Sequence, residues 1–202
     1  MYTMGRKAVL KKRKPITKKV KNWLSDLLIK IQYENLEQLT IDDLAKLAGV
    51  SKSTVYEYFK SKEEILCAAC EIKVEILVNE LTLLRDKKIT TNELYEKFVE
   101  LFANGTSDIS IGFLQSIKKH YPNAWLRIEG FIESYLNLLK MQYAKGMSEG
   151  IYTKTSIELL INIDKIFVLQ VVTNFSLFND QKYTLSQLIR EYLNLRLNGL
   201  LK

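Results

Sequence analysis

The sequence is poor in the residues that interrupt helices, ligate metals and crosslink chains: its 202 residues include two prolines, eight glycines, one histidine and two cysteines. Scarce proline and glycine exclude a turn-rich β architecture and favour long helices of Leu, Ile, Lys and Glu with short connections. An all-α protein is expected. The lone histidine, His120, follows two lysines at an expected helix end. No Gly-rich phosphate loop, His-Glu-x-x-His pair or nucleophile with a base at motif spacing accompanies it, so no enzyme, metal or cofactor is expected. Cys67 and Cys70 form "CAAC", but no second Cys or His pair completes a zinc tetrahedron, and the flanking residues read as helix interior. They are expected as small buried hydrophobes, with redox sensing as the alternative. Also lacking are a secretory leader and any run of about eighteen apolar residues, which predicts a cytoplasmic protein that does not enter a membrane.

Acidic residues are missing from the opening "MYTMGRKAVLKKRKPITKKVK", which holds nine Lys or Arg. Residues 1–62 carry fourteen basic against six acidic residues, a net +8, whereas residues 63–202 carry sixteen against seventeen, a net −1. One end of the molecule is thus suited to a polyanion, either nucleic acid or an anionic membrane surface. Residues 1–18 are expected as a basic flexible arm, acting as a solubilising tail or as a segment that contacts phosphates or reaches into a minor groove.

Val20, Trp23, Leu24, Leu27, Leu28 and Ile31 recur at three- and four-residue steps, which predicts a first helix from Val20 to about Tyr33. Thr40 is an N-cap with Asp43 placed for a capping box, so a second helix runs from Ile41 to about Leu47. Gly49 follows where a left-handed residue is wanted, and Ser51 caps a short third helix over Lys52–Tyr58. Ser61 caps a fourth helix from Lys62 to about Leu84. Further helices are expected at about 93–103, 109–120, from Pro122 through "KGM", 156–178 and 185–200, nine in all. Gly146 and Gly150 spell G-x-x-x-G, but Ser148 and Glu149 between them mark a helix end rather than a membrane dimer motif.

On the third helix, Lys52, Ser53 and Tyr56 fall within one arc of about 100° with Val55 outside it. So short a helix must be held by apolar packing of Leu44, Leu47, Val50, Val55 and Phe59. Its small residues permit close approach to a partner, and its hydroxyls, lysines and N-terminus are phosphate-binding groups. Two helices joined by a glycine-containing turn follow the helix-turn-helix plan, with Lys52 placed to reach guanine and Thr54 to offer a methyl to thymine.

The run "TIDDLAKLAGVSKSTVYEYFKSKEEIL", Thr40 to Leu66, resembles the N-terminal signature of TetR-family transcriptional regulators over about 27 positions. The resemblance implies that Thr40, Ser51, Tyr56 and Lys62 bind phosphates, that Tyr58 and Lys60 assist, and that Lys52, Ser53 and Thr54 face bases. It also implies a homodimer on double-stranded palindromic DNA, released when a small-molecule effector enters the C-terminal domain. Two departures stand out: Ser53 replaces a glycine common in the family, and "ENLEQLT" lacks the usual glycine before the capping threonine.

The organisation expected is an arm (1–18), a helix-turn-helix domain (19–62) and a helical effector-binding and dimerisation domain (63–202). The eighth helix is apolar nearly all round, so it and the ninth, about 156–200, are the expected dimer surface, with burial inside one subunit as the alternative. Phe98, Phe102, Phe113, Trp125, Phe131, Tyr135 and Phe167 are candidates to line a ligand cavity, although aromatics at helical spacing are more often plain core. Glu129, Glu133 and Asp164 either face that space, favouring a cation, or are solvated. The function expected is sequence-specific transcriptional repression relieved by an effector; the alternative is an effector-independent DNA-binding dimer with an architectural role.

Overall fold

The computed structural model describes residues 13–85, 89–173 and 183–202. Among them are nine helices and no strand: α1 (Lys18–Lys30), α2 (Ile41–Ala48), α3 (Lys52–Tyr58), α4 (Lys62–Arg85), α5 (Thr91–Gly105), α6 (Ile111–His120), α7 (Pro122–Ser148), α8 (Ile157–Thr173) and α9 (Leu185–Leu200). Residues 1–12 of the expected arm and residues 174–178 of the expected eighth helix lie outside the described residues.

Local chemistry sets most helix starts. Thr40 and Asp43 form the expected capping box, and Thr90 with Glu93 and Thr184 with Gln187 form two more. Several boundaries differ from expectation by a turn or less. The first helix starts at Lys18 rather than Val20, because the Thr17 side chain accepts from the Val20 N–H, and it ends at Lys30 rather than near Tyr33. The fifth begins at Thr91 rather than Glu93 because Thr90 is the cap, and the sixth at Ile111 rather than 109 because Ser110 is.

The N-terminal unit packs α1 on α2 and α2 on α3, around Leu24, Leu27, Leu44 and Val55. The fourth helix, about 36 Å long at the usual rise per residue, leaves this unit and packs against α1, α5 and α7. The helices α5 with α9, α7 with α8, and α6 with both α7 and α8 complete the larger part.

Two tertiary features organise the C-terminal part. Gly146 lies against the Tyr152 ring, where a Cβ would come within 2.1 Å of a ring carbon, so the chain turns back on itself only because position 146 has no side chain. Gly150 takes φ +75°, ending α7 as the sequence suggests. Asp164 of α8 is 1% exposed. It accepts from the Tyr143 hydroxyl (2.8 Å), the Tyr192 hydroxyl (2.6 Å) and Arg196 Nε (3.0 Å), joining three helices through one buried charge pair. Asp164 is therefore neither solvated nor a cation-facing wall, whereas Glu133 is solvated, one of the two alternatives expected, and pairs with Lys165 at 3.6 Å.

Candidate nucleic-acid interface and ligand cavity

The turn between α2 and α3 is built from local rules. Gly49 sits at φ 69°, a left-handed conformation that favours glycine, and the Val50 N–H reaches back to the Ala45 carbonyl (3.0 Å). Ser51 then caps α3, its Oγ accepting from the Thr54 N–H (3.1 Å). The same Oγ is 2.7 Å from Ser53 Oγ and 2.8 Å from Thr54 Oγ1, so three hydroxyls meet at the start of α3. Val55 and Phe59 are buried, and Phe59 packs edge-on against Trp23 of α1 at 5.9 Å.

What remains outward is polar. Ser51, Lys52, Ser53, Tyr56 and Lys60 are exposed, as is Thr40, whereas Thr54 and Tyr58 are half-buried. Lys52 pairs with Asp42 at 2.7 Å across the α2–α3 turn, and the hydrogen bond to that carboxylate raises its pKa. The Lys60 N–H donates to Glu64 (2.6 Å), leaving its ammonium outside that contact.

Lys62 differs from expectation. Its Nζ donates to the carbonyls of Leu36 (2.7 Å), Glu37 (3.1 Å) and Leu39 (2.8 Å), and it stands 5.6 Å from the Tyr121 ring centre. All three ammonium hydrogens are committed to the chain's own backbone, so Lys62 is a clasp on the α1–α2 connection in this structure rather than a ready phosphate contact. That connection lacks the usual family glycine, and Tyr121 also donates to the Leu36 carbonyl (2.9 Å). Further residues not anticipated at this end are Arg13, whose guanidinium donates to the Tyr56 carbonyl, and Lys14, which pairs with Glu57 at 2.8 Å. The last part of the basic arm thus lies along the end of α3.

An apolar cavity of about 90 Å³ lies between α4, α5, α6, α7, α8 and α9. Phe102, Phe113, Phe131 and Phe167 line it, as expected; Phe98, Trp125 and Tyr135 do not. Tyr135 instead stacks on Phe102 at 4.0 Å, Trp125 lies 5.1 Å from the Lys118 ammonium, and Phe98 is plain core. Lys73, on α4, contributes to the wall and was not legible as such, because its partner Asp108 is 35 positions away.

Residues 32–69 match the family described as bacterial regulatory proteins, tetR family. Over these residues the chain is similar to the tetR family. The segment matched covers α2, α3 and the glycine turn, where the geometry above is concentrated. The chain is a DNA-binding transcriptional regulator rather than an enzyme. Over 181 residues it is 26% identical to the fatty acid metabolism regulator protein of Bacillus subtilis, covering 87% of this chain and 92% of that one. Its fold resembles that of the fatty acid degradation regulator FadR from Bacillus halodurans, with TM-score 0.67, 23% identity and coverage of 91% and 97% of the two chains. It also resembles FadR from Bacillus subtilis in complex with stearoyl-CoA, with TM-score 0.63, 23% identity and coverage of 89% and 98%.

In this fold the two cysteines are thiols without a disulfide. Burial pushes Cys70 up to about 12 and raises Cys67 as well, so both stay protonated and poorly nucleophilic near neutrality. Among the described residues no group of three metal-ligating side chains exists, and no helix is long and apolar enough to cross a membrane.

Proposed function

We propose that this regulator is a cytoplasmic homodimeric repressor that binds a palindromic operator through α2 and α3 and leaves it when a long-chain acyl molecule enters the cavity. The observation that carries this reading is that α4 both follows directly from the DNA-facing unit and forms a cavity wall through Cys70, Val74 and Leu77. Ligand pockets for small molecules generally span about 300–1,000 Å³. A cavity of about 90 Å³ must therefore widen to admit a chain, and widening displaces walls that include α4. A ligand that binds the widened state better shifts the protein toward it. The apolar wall and the similarity to fatty acid regulators support an acyl effector.

On the DNA side, Lys52, Ser53 and Thr54 face bases in this reading, with Lys52 exchanging Asp42 for a guanine edge. Thr40, Ser51, Tyr56, Tyr58 and Lys60 hold phosphates. Dimerisation uses α8 and α9: Leu159, Ile163 and Ile166 form one exposed stripe on α8, and Leu195 of α9 is 70% exposed. An exposed apolar stripe of this kind is covered in a stable assembly. A two-fold dimer then matches a palindrome with half-sites about one or more helical turns apart.

A footprint on DNA upstream of the protein's own gene tests the reading. A protected palindrome that is released by stearoyl-coenzyme A is expected. Binding that persists at saturating acyl-coenzyme A and fatty acid would exclude the acyl effector.

A further inference from the structure

The cavity wall is apolar, and one charged residue contributes to it. Among the described residues that line it, Lys73 is the one charged side chain. The other polar groups of the wall are committed elsewhere: the Thr106 hydroxyl is within hydrogen-bond distance of the carbonyls of Phe102 (2.8 Å) and Ala103 (3.2 Å), and the Cys70 thiol is buried and protonated. Lys73 contributes its stem to the wall while its ammonium turns to Asp108, 2.7 Å from Oδ1 and 2.9 Å from Oδ2. Both side chains are largely removed from water, 22% and 28% exposed. Asp108 stands in the short α5–α6 turn between Thr106 and Ile109, which both line the cavity, so the pair lies beside the cavity wall.

We infer that Lys73 recognises the charged end of the effector, a single-chain amphiphile with an oxyanion head, and that Asp108 occupies that position in the empty protein. This rests on the acyl-effector reading and specifies its polar half. An anion brought alone into an apolar wall loses its hydration without replacement, which is costly unless it is paired. Exchange of one oxyanion for another at Lys73 keeps the ammonium paired throughout, and Asp108, already 28% exposed, turns to water. A cationic head would meet the same ammonium and be repelled. The shared chemistry is an oxyanion, supplied either by a fatty carboxylate or by the phosphates of an acyl-coenzyme A.

Calorimetric titration of the full-length protein with dodecanoate, dodecanoyl-coenzyme A and dodecan-1-ol tests the assignment. At least one anionic chain is expected to bind about tenfold or more tighter than the alcohol; preference for dodecanoate places a carboxylate at Lys73, and preference confined to the coenzyme A ester places a phosphate there. K73M should reduce that ligand to about the affinity of the alcohol. K73R should retain the preference, which separates charge from folding, and D108N should tighten anion binding by removing the competing carboxylate. A preference that survives K73M, or a wild-type protein that binds alcohol and anions alike, overturns the role of Lys73 while leaving the acyl effector intact. If none of the three chains binds, the acyl-effector reading falls and the Lys73 assignment with it.

Discussion

Lys62 shows how a residue's surroundings reset its role. Three carbonyls accept from its ammonium, and hydrogen bonds to a charged group contribute about 1.5–3 kcal/mol each at best. K62M should therefore lower stability by about 1–3 kcal/mol in urea melts. It should alter the salt dependence of DNA binding by less than the single phosphate that a direct contact contributes. A loss of one full phosphate in the slope with stability unchanged would restore Lys62 to the DNA surface. Gly146 is a second position set by its neighbour: G146A places a Cβ 2.1 Å from the Tyr152 ring. Overpacking of this kind costs about 1–3 kcal/mol, which thermal unfolding of the variant should register, whereas alanine at Gly112, with nothing within 4 Å of its Cβ, should not destabilise by clash.

At the scale of an element, α8 explains its own composition. Leu160 and Val171 face inward with Asp164, and Leu159, Ile163 and Ile166 face outward, so a helix that reads as apolar nearly all round has two distinct faces. Among the described residues only the inner one is covered. L159E with I163E should convert a dimer into a monomer in sedimentation, with loss of operator binding and little change in helix content. A dimer that persists in this variant would move the interface away from α8. The inner face owes its order to Asp164: D164N removes the charge that Arg196 faces and should destabilise by about 3–5 kcal/mol, the usual cost of breaking a buried pair.

Over the whole molecule, burial of weak acids sets the alkaline limit. The Cys70 thiol is raised by burial from 9.0 to about 12, and burial raises Tyr95, Tyr143 and Tyr192 as well. Below pH 9 the thiol is protonated in both folded and unfolded chains, and its contribution is intact. As pH rises from 9.0 toward 12, only the unfolded thiol loses its proton, so stability falls by about 1.4 kcal/mol per pH unit for that group. C70A should flatten the pH dependence of stability above pH 9 by that amount, whatever its effect at neutrality. An unchanged alkaline slope would show that the thiol ionises as readily in the folded state.

Features governed by neighbours in the chain were legible. Thr40 with Asp43, Gly49, Ser51 and the limits of α3 and α9 depend on contacts within four residues, and a dense local motif carried the family. The apolar periods likewise marked Val20, Leu24 and Leu27 as core. What needed the folded chain were pairings across long separations. Lys62 meets carbonyls 23 to 26 residues away, Asp164 meets Arg196 across 32, and Lys73 meets Asp108 across 35. The aromatics make the same division: Phe102, Phe113, Phe131 and Phe167 line the cavity, while Phe98, Trp125 and Tyr135 share their chemistry but not their direction. Helical periodicity states which side of a helix is apolar, and tertiary packing decides which part of that side closes against another helix and which borders a space.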